Sequence, residues 1–287
     1  MKKVLLIILV CLIVVLFIIY FRPINGNNLI TEEYKNSSAY VNNLYKSDEI
    51  VKKYLLKPNE YYIYDQVIEA SLKDMPNVTI KCNVKDCVKT LSNAYNAIYI
   101  DHPELISFQG MNAYRYSNNE ITYRNYSNLS TLKTYLGTKR IERVMDNLRN
   151  KTKDLSEKDK IIFVYNYVAS HNYDRIFMTY RSNQSAYSFF TGGSTVCAGF
   201  AKASQIIFQN IGVKSYLVMN KDHMWNYVEY QGKYYVFDAT VGASYRDKTS
   251  KYYYEGLGRT TVNEVKGFYP ELYPKIEEQQ LKDIFNL

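Results

Sequence analysis

The alternation of apolar and polar positions starts with one long apolar block. After Met1, Lys2 and Lys3 the chain runs from Val4 to Phe21 without a charge, eighteen residues in all. As a helix this run would extend about 27 Å, close to the roughly 30 Å of a bilayer's hydrocarbon core. Two lysines precede it and only Arg22 follows closely, which orients the N-terminus to the cytoplasm and the body outside. The exit from Ile18 to Pro23 lacks the small residues of a cleavage site. The block is therefore read as an uncleaved transmembrane anchor.

Behind it the pattern becomes that of a mixed α+β protein. Residues 25–58 are polar and predict a short stalk with one helix, Ser47 to Leu56. Tyr64, Val67, Ile68 and Leu72 recur at helical spacing over 61–73. Val78 to Cys82 reads as a strand, and 84–100 as an amphipathic helix that stops before Pro103. Leu105 to Tyr114 and Glu120 to Tyr126 read as paired strands about Ser117, Asn118 and Asn119, followed by a helix from Leu132 to Leu148. Ser156, with Asp159 three residues on, marks the start of a helix that is apolar over much of its girth through Val168. Ala198 to Asn210 predicts a further helix, stopped by Gly212. Strands follow at 214–219, 223–230 and 233–238, and a strand from Thr260 and a terminal helix around 276–285 complete the chain. The expected organisation is an anchor (1–22), a polar stalk (23–58), an α+β accessory region (59–150), a catalytic α+β domain (151–258) and a C-terminal extension (259–287).

The last two internal strands are joined only by Gln231 and Gly232, a two-residue hairpin loop. If Tyr230 pairs with Lys233, Asp238 lies opposite Trp225. His223 then falls on the same face, diagonal to Asp238, with backbones roughly 7–8 Å apart. A one-residue slip would put the two on opposite faces.

Composition changes this picture little. Of 287 residues 47% are hydrophobic and 22% charged, enough apolar content for a large core and too little charge for general disorder. The net charge of +8 falls to +5 without Lys2, Lys3 and Arg22, and the basic residues form no concentrated stripe. Nucleic acid is excluded as a partner on that ground. The 31 tyrosines against one tryptophan suit sugar or peptide contact, but read first as a compositional bias alongside the many Lys, Asn and Ile.

The candidate chemistry rests on cysteine, histidine and aspartate. Gly192, Gly193 and Ser194 cannot belong to a stable helix, so Cys197 falls in the first turn of the helix that follows. Unpaired N–H groups and the helix dipole there favour a thiolate, and the same N–H groups can stabilise an oxyanion. Cys197, His223 and Asp238, in that order, have the chemistry of a thiol nucleophile, its base and the base's orienter. Taken singly, each has a plainer role as a buried small side chain, a structural histidine or a turn cap. Cys82 and Cys87 could close a disulfide in an exported protein, hold a metal with partners from elsewhere, or remain free. The only histidines are His102, His171 and His223, no HExxH or paired CxxC occurs, and no metal or cofactor is expected.

Three blocks together, residues 192–201 (GGSTVCAGFA), 223–228 (HMWNYV) and 232–240 (GKYYVFDAT), resemble the core motifs of the transglutaminase-like superfamily. The resemblance covers about residues 154–258, and Asp101-His-Pro-Glu-Leu105 is similar to a segment upstream in bacterial members. It implies a papain-like α+β fold, with a helix bearing Cys197 packed on an antiparallel sheet bearing His223 and Asp238. It implies Cys197 as nucleophile, His223 as base and then acid, and Asp238 as orienter. Tyr187, ten residues before the cysteine, would contact the substrate or the oxyanion, and Trp225 and Asn226 would support the site. Ala239 and Val241 replace the Pro and Trp usual there, a departure that bears on substrate contacts.

The function these readings imply is a membrane-anchored, extracytoplasmic thiol enzyme acting on amide bonds of an extracellular or cell-wall protein or peptide. Cross-linking, deamidation and hydrolysis share its thioester intermediate. The alternative is a catalytically silent binding or scaffolding module with the same fold. A metal-dependent hydrolase fits the sequence least.

Overall fold

Helix α7 (Cys197–Asn210) holds the molecule together because nearly every residue from Ala198 to Phe208 is buried, on all sides of the helix. A helix apolar around its girth has to lie inside a protein, and α7 lies between two cores. Phe200, Ala203, Ile206, Ile207 and Phe208 enter one core with helices α4 (Thr131–Thr152), α5 (Glu157–Ala169) and α6 (Ala186–Phe190). Ala198 and Ala201 enter the other, with α1 (Ile50–Leu55), α2 (Tyr61–Leu72) and α3 (Cys87–Asp101). This computed structural model describes residues 44–72, 75, 77–125, 129–176, 181–245, 247–260 and 267–287.

Among the described residues, two three-stranded antiparallel sheets accompany the helices. The first has the order β1-β3-β2, from Asn77–Lys81, Glu120–Asn125 and Met111–Ser117. The second has the order β4-β5-β6, from Ser215–Met219, Met224–Tyr230 and Lys233–Phe237. A short helix α8 (Ala239–Tyr245) leaves β6 directly, and α9 (Leu281–Phe285) closes the chain onto the α5–α7 core.

Local chemistry sets the element ends. Ser156 accepts the Asp159 N–H at 3.1 Å and starts α5, as its spacing predicts. Asp86 accepts the Lys89 N–H at 3.0 Å, which starts α3 at Cys87 rather than at Val84. The helix expected over 47–56 is shorter, and its first amides, Val51 and Lys52, are bound by the carboxylate of Asp101 from α3. The strand expected from Leu105 begins only at Met111. Residues 103–108 form successive tight turns, among them Ile106 N–H to Glu104 O at 2.8 Å. Leu105, Ile106 and Phe108 are buried, so this apolar stretch reflects packing of turns and not a pleat. In the tail, Ile276 makes one parallel bridge to Tyr234 and the helix waits until Leu281.

Packing runs across residue 150. Ile141, Met145 and Leu148 of α4 share a core with α5 and α7, and residues 39–287 form one compact unit. The apolar block 4–21, the first part of the stalk and residues 261–266 of the tail lie outside the described residues. Among the described residues no helix is long and apolar enough to cross a membrane. Cys82 and Cys87 pair as a disulfide with Cα atoms 5.8 Å apart, within the usual range.

Candidate active site

The second hairpin sets the site's geometry. Gln231 and Gly232 both take left-handed φ, 52° and 74°, the backbone that lets a two-residue loop follow the strands' twist. Tyr230 therefore pairs with Lys233 and Asn226 with Phe237. His223 and Asp238 lie just past the paired ends of β5 and β6, and His223 Nε2 meets Asp238 Oδ2 at 2.7 Å. Both side chains are almost fully buried.

Cys197 is a free thiol at the first residue of α7, half-buried, and its side chain lies close enough to the His223 imidazole to act on it. With Nε2 held by Asp238, Nδ1 is the nitrogen left for the sulfur. Burial disfavours the imidazolium, but Asp238 and Cys197 against it outweigh burial and push the His223 pKa up to about 10. The other Asp238 oxygen accepts the Thr240 N–H at 3.0 Å, and the Asp238 N–H donates to Gly256 O at 2.8 Å. No side chain caps the first turn of α7, since its N-cap is Val196. Thr195 just before it is pinned by donating to Asn183 O at 2.9 Å and sharing a hydrogen bond with Ser188 Oγ at 2.8 Å. Gly199 makes room for it, as a Cβ there would lie 1.8 Å from Thr195 Oγ1.

No family model matches the chain, and no curated protein matches it. Among solved structures, one described as a TGase is similar at a TM-score of 0.33 with 14% identity. The likeness covers 70% of this chain and 56% of that one.

Trp225 and Asn226 sit where support is needed. The Trp225 ring stacks on His223 with centroids 5.9 Å apart and planes at 15°. The Asn226 amide donates to Ala201 O at 3.1 Å and Gln205 Oε1 at 3.2 Å, tying the hairpin to α7. The Tyr187 ring packs against Gly137 of α4, with Ile106 nearby, where a Cβ on Gly137 would come within 2.6 Å of the ring.

The tyrosine that faces Cys197 is Tyr173, which the motif spacing does not single out. Its hydroxyl is directed at the Cys197 backbone amide. Burial, then the charges of Cys197 and Asp238, raise its pKa to about 12. A parallel bridge between Tyr173 and Thr195, with Asp174 N–H to Thr195 O at 2.8 Å, fixes that position. Tyr99 of α3 is also close enough to feel the Cys197 charge. The Lys202 ammonium lies 3.5 Å over the Tyr99 ring. Burial pushes the Lys202 pKa down to about 7 against the opposing charge of Glu104. The signal for Tyr173 was the Tyr173-Asp174 pair after α5, legible only once 173 is known to pair with 195. The other two histidines are remote in chemistry: His171 stacks on Phe189 at 3.8 Å, and His102 Nδ1 bonds Glu104 at 2.6 Å. Among the described residues no three His, Cys, Asp or Glu side chains converge to hold a metal ion.

Proposed function

We propose that this chain is an extracytoplasmic thiol enzyme that attacks amide carbonyls through Cys197. The observation that carries the reading is the His223–Asp238 bond of 2.7 Å with Cys197 on the same imidazole. An imidazole oriented by a carboxylate can take a thiol proton and later return it.

The Cys197 sulfur adds to the carbonyl carbon of a Gln side chain or a peptide bond. The oxyanion is received by the Cys197 N–H and the Tyr173 hydroxyl. The C–N bond breaks, the amine leaves with the proton held by His223, and a thioester remains. His223 then takes a proton from the acceptor, which attacks the thioester and frees the sulfur. A Lys amine as acceptor gives a cross-link, and water gives hydrolysis or deamidation. The disulfide at Cys82–Cys87 suits an oxidising compartment. The apolar block 4–21 suits an anchor with the body outside the cell, facing extracellular or cell-wall protein.

Alkylation of the full-length chain tests this. Iodoacetamide at pH 6 is expected to label Cys197 about tenfold or more faster than it labels glutathione, with the excess lost in His223→Ala. Labelling at the rate of an ordinary thiol, indifferent to His223, would move the reading to a catalytically silent binding or scaffolding module.

A further inference from the structure

A cavity of about 220 Å³ is lined by Asn96, Tyr99, Ile100, Met219, Phe268 and Tyr269, on the side of α3 where Tyr99 lies within range of the Cys197 charge. We propose that it is the subsite for a bulky apolar side chain of the substrate, aromatic by preference, an inference that rests on the thiol-enzyme reading above.

Position is the first argument. Tyr99 lies within range of the Cys197 charge. Met219 pairs directly with Met224, the residue after His223. The loop between them is closed by Asn220, whose side chain accepts the His223 N–H at 2.9 Å and whose N–H donates to His223 O at 3.0 Å. One wall of the cavity therefore belongs to the hairpin loop that carries the base.

The walls are held in place. Phe268 N–H donates to Met219 O at 2.7 Å, and Gly267 lets the chain run tight along β4, since a Cβ there would lie 2.4 Å from Val218 Cγ1. Tyr269 holds a left-handed φ of 58°, a costly backbone for an aromatic residue that persists only where its surroundings enforce it. A side-chain hydrogen bond to Asn96 and the Tyr54 ring at 5.5 Å supply that enforcement. Tyr99 is fixed in turn by the buried Lys202 ammonium over its ring. Strain of this kind, maintained in the wall of a cavity, fixes the shape of that wall.

Chemistry selects the occupant. The lining carries no charge, and its one amide, Asn96, is engaged by Tyr269. A sugar would find only the Tyr99 and Tyr269 hydroxyls and the Asn96 amide for its many hydroxyls, whereas an apolar ring needs no partner. A dry apolar cavity of about 150 Å³ suffices for benzene, so 220 Å³ accommodates one aromatic side chain. Phe268, 43% exposed, stands at the mouth as an uncovered aromatic edge.

The test uses the full-length chain and acetyl-Xaa-glycine vinyl sulfones, with Xaa as Gly, Leu, Phe or Arg, and a second set with the variable group across the electrophilic carbon. Labelling of Cys197 is read by mass spectrometry. In one of the two sets the Phe probe is expected to label about tenfold or more faster than the Gly probe, with Leu between. Phe268→Ala, and separately Asn96→Trp to fill the mouth, should bring that ratio close to one. A flat series, or a preference for Arg, while iodoacetamide still labels Cys197 rapidly, removes the subsite and leaves the thiol reading standing. A Phe preference that survives both substitutions also overturns the assignment to this cavity. Labelling by iodoacetamide at an ordinary thiol's rate removes both proposals together.

Discussion

The hairpin β2–β3 turns on Asn118 and Asn119, with φ of 52° and 58°, and the hairpin β5–β6 turns on Gln231 and Gly232, with φ of 52° and 74°. The local geometry is shared, and the surroundings differ. Along β3, Ile121 and Tyr123 are buried while Thr122 and Arg124 are exposed, the alternation of a sheet wet on one face. Along β5 everything from Met224 to Val228 is buried. Val228 and Phe237 face the α5–α7 core, and Trp225, Tyr227 and Val236 pack with Tyr273 in a separate cluster. A one-sided sheet tolerates irregularity, and β2 shifts register between Met111 and Tyr114. A sheet covered on both faces cannot slip without exposing one core and burying the wrong side chains in the other. The second hairpin can therefore hold two polar side chains at a fixed separation at its open end.

The largest effect is expected where that rigidity meets charge. Asp238→Asn keeps the shape beside His223 and removes the carboxylate. Acylation of Cys197 by p-nitrophenyl acetate should fall by about a hundredfold or more. The pH dependence should move as well. The folded pKa of His223 is raised above its ordinary 6.5 to about 10. Its contribution to stability is thus fully present below about 6.5 and lost as pH rises through about 10. In Asp238→Asn the alkaline loss should begin at lower pH, read from melting temperatures between pH 6 and 10.5. An unchanged alkaline limb would show that Asp238 does not sustain the imidazolium.

A smaller effect is expected one layer behind. Gly256 accepts the Asp238 N–H, and a Cβ on it would lie 2.0 Å from Asp238 O and 2.7 Å from the Tyr165 hydroxyl. Tyr165 cannot yield easily, because it donates to Tyr253 O at 2.5 Å and is wholly buried. Gly256→Ala should therefore cost about 1–3 kcal/mol in denaturant unfolding and slow the same acylation by displacing Asp238. Normal stability with normal acylation would mean that the backbone there is freer than its packing indicates.

The contrast between hairpins also explains what could be read from the chain. The register of β5–β6 was legible because a two-residue loop admits one pairing, and that pairing brings His223 beside Asp238. The helix after Gly192–Ser194 was legible because its residues are mostly apolar and Gly212 stops it. Long-range placement was not. Tyr173 is brought to Cys197 through a single bridge to Thr195, and Tyr99 comes within range of its charge from a helix about a hundred residues earlier. Neither leaves a periodic trace. Tyr187 is near the cysteine in sequence, but its ring fills the space over Gly137. The turns at 103–108 read as strand because a short apolar run looks the same in sequence whether tight turns or a pleat bury it, and here every residue of the run is buried.

The smallest effect should come from the wet face of the first sheet. Thr79 and Thr122 are directly paired across β1 and β3, and their hydroxyls share a hydrogen bond of 2.8 Å in the open. Cross-strand threonine pairs contribute roughly 0.2–1 kcal/mol, and water can replace the lost partner at an exposed site. Thr79→Ala should lower unfolding stability within that range, and Thr122→Ala added to it should cost little more, since the shared bond is already gone. Iodoacetamide labelling of Cys197 should stay at the parent rate in both, because neither hydroxyl touches the core that holds α7. A change in labelling would mean that the first sheet transmits its state to Cys197, and the two hairpins would then have to be treated as one coupled unit.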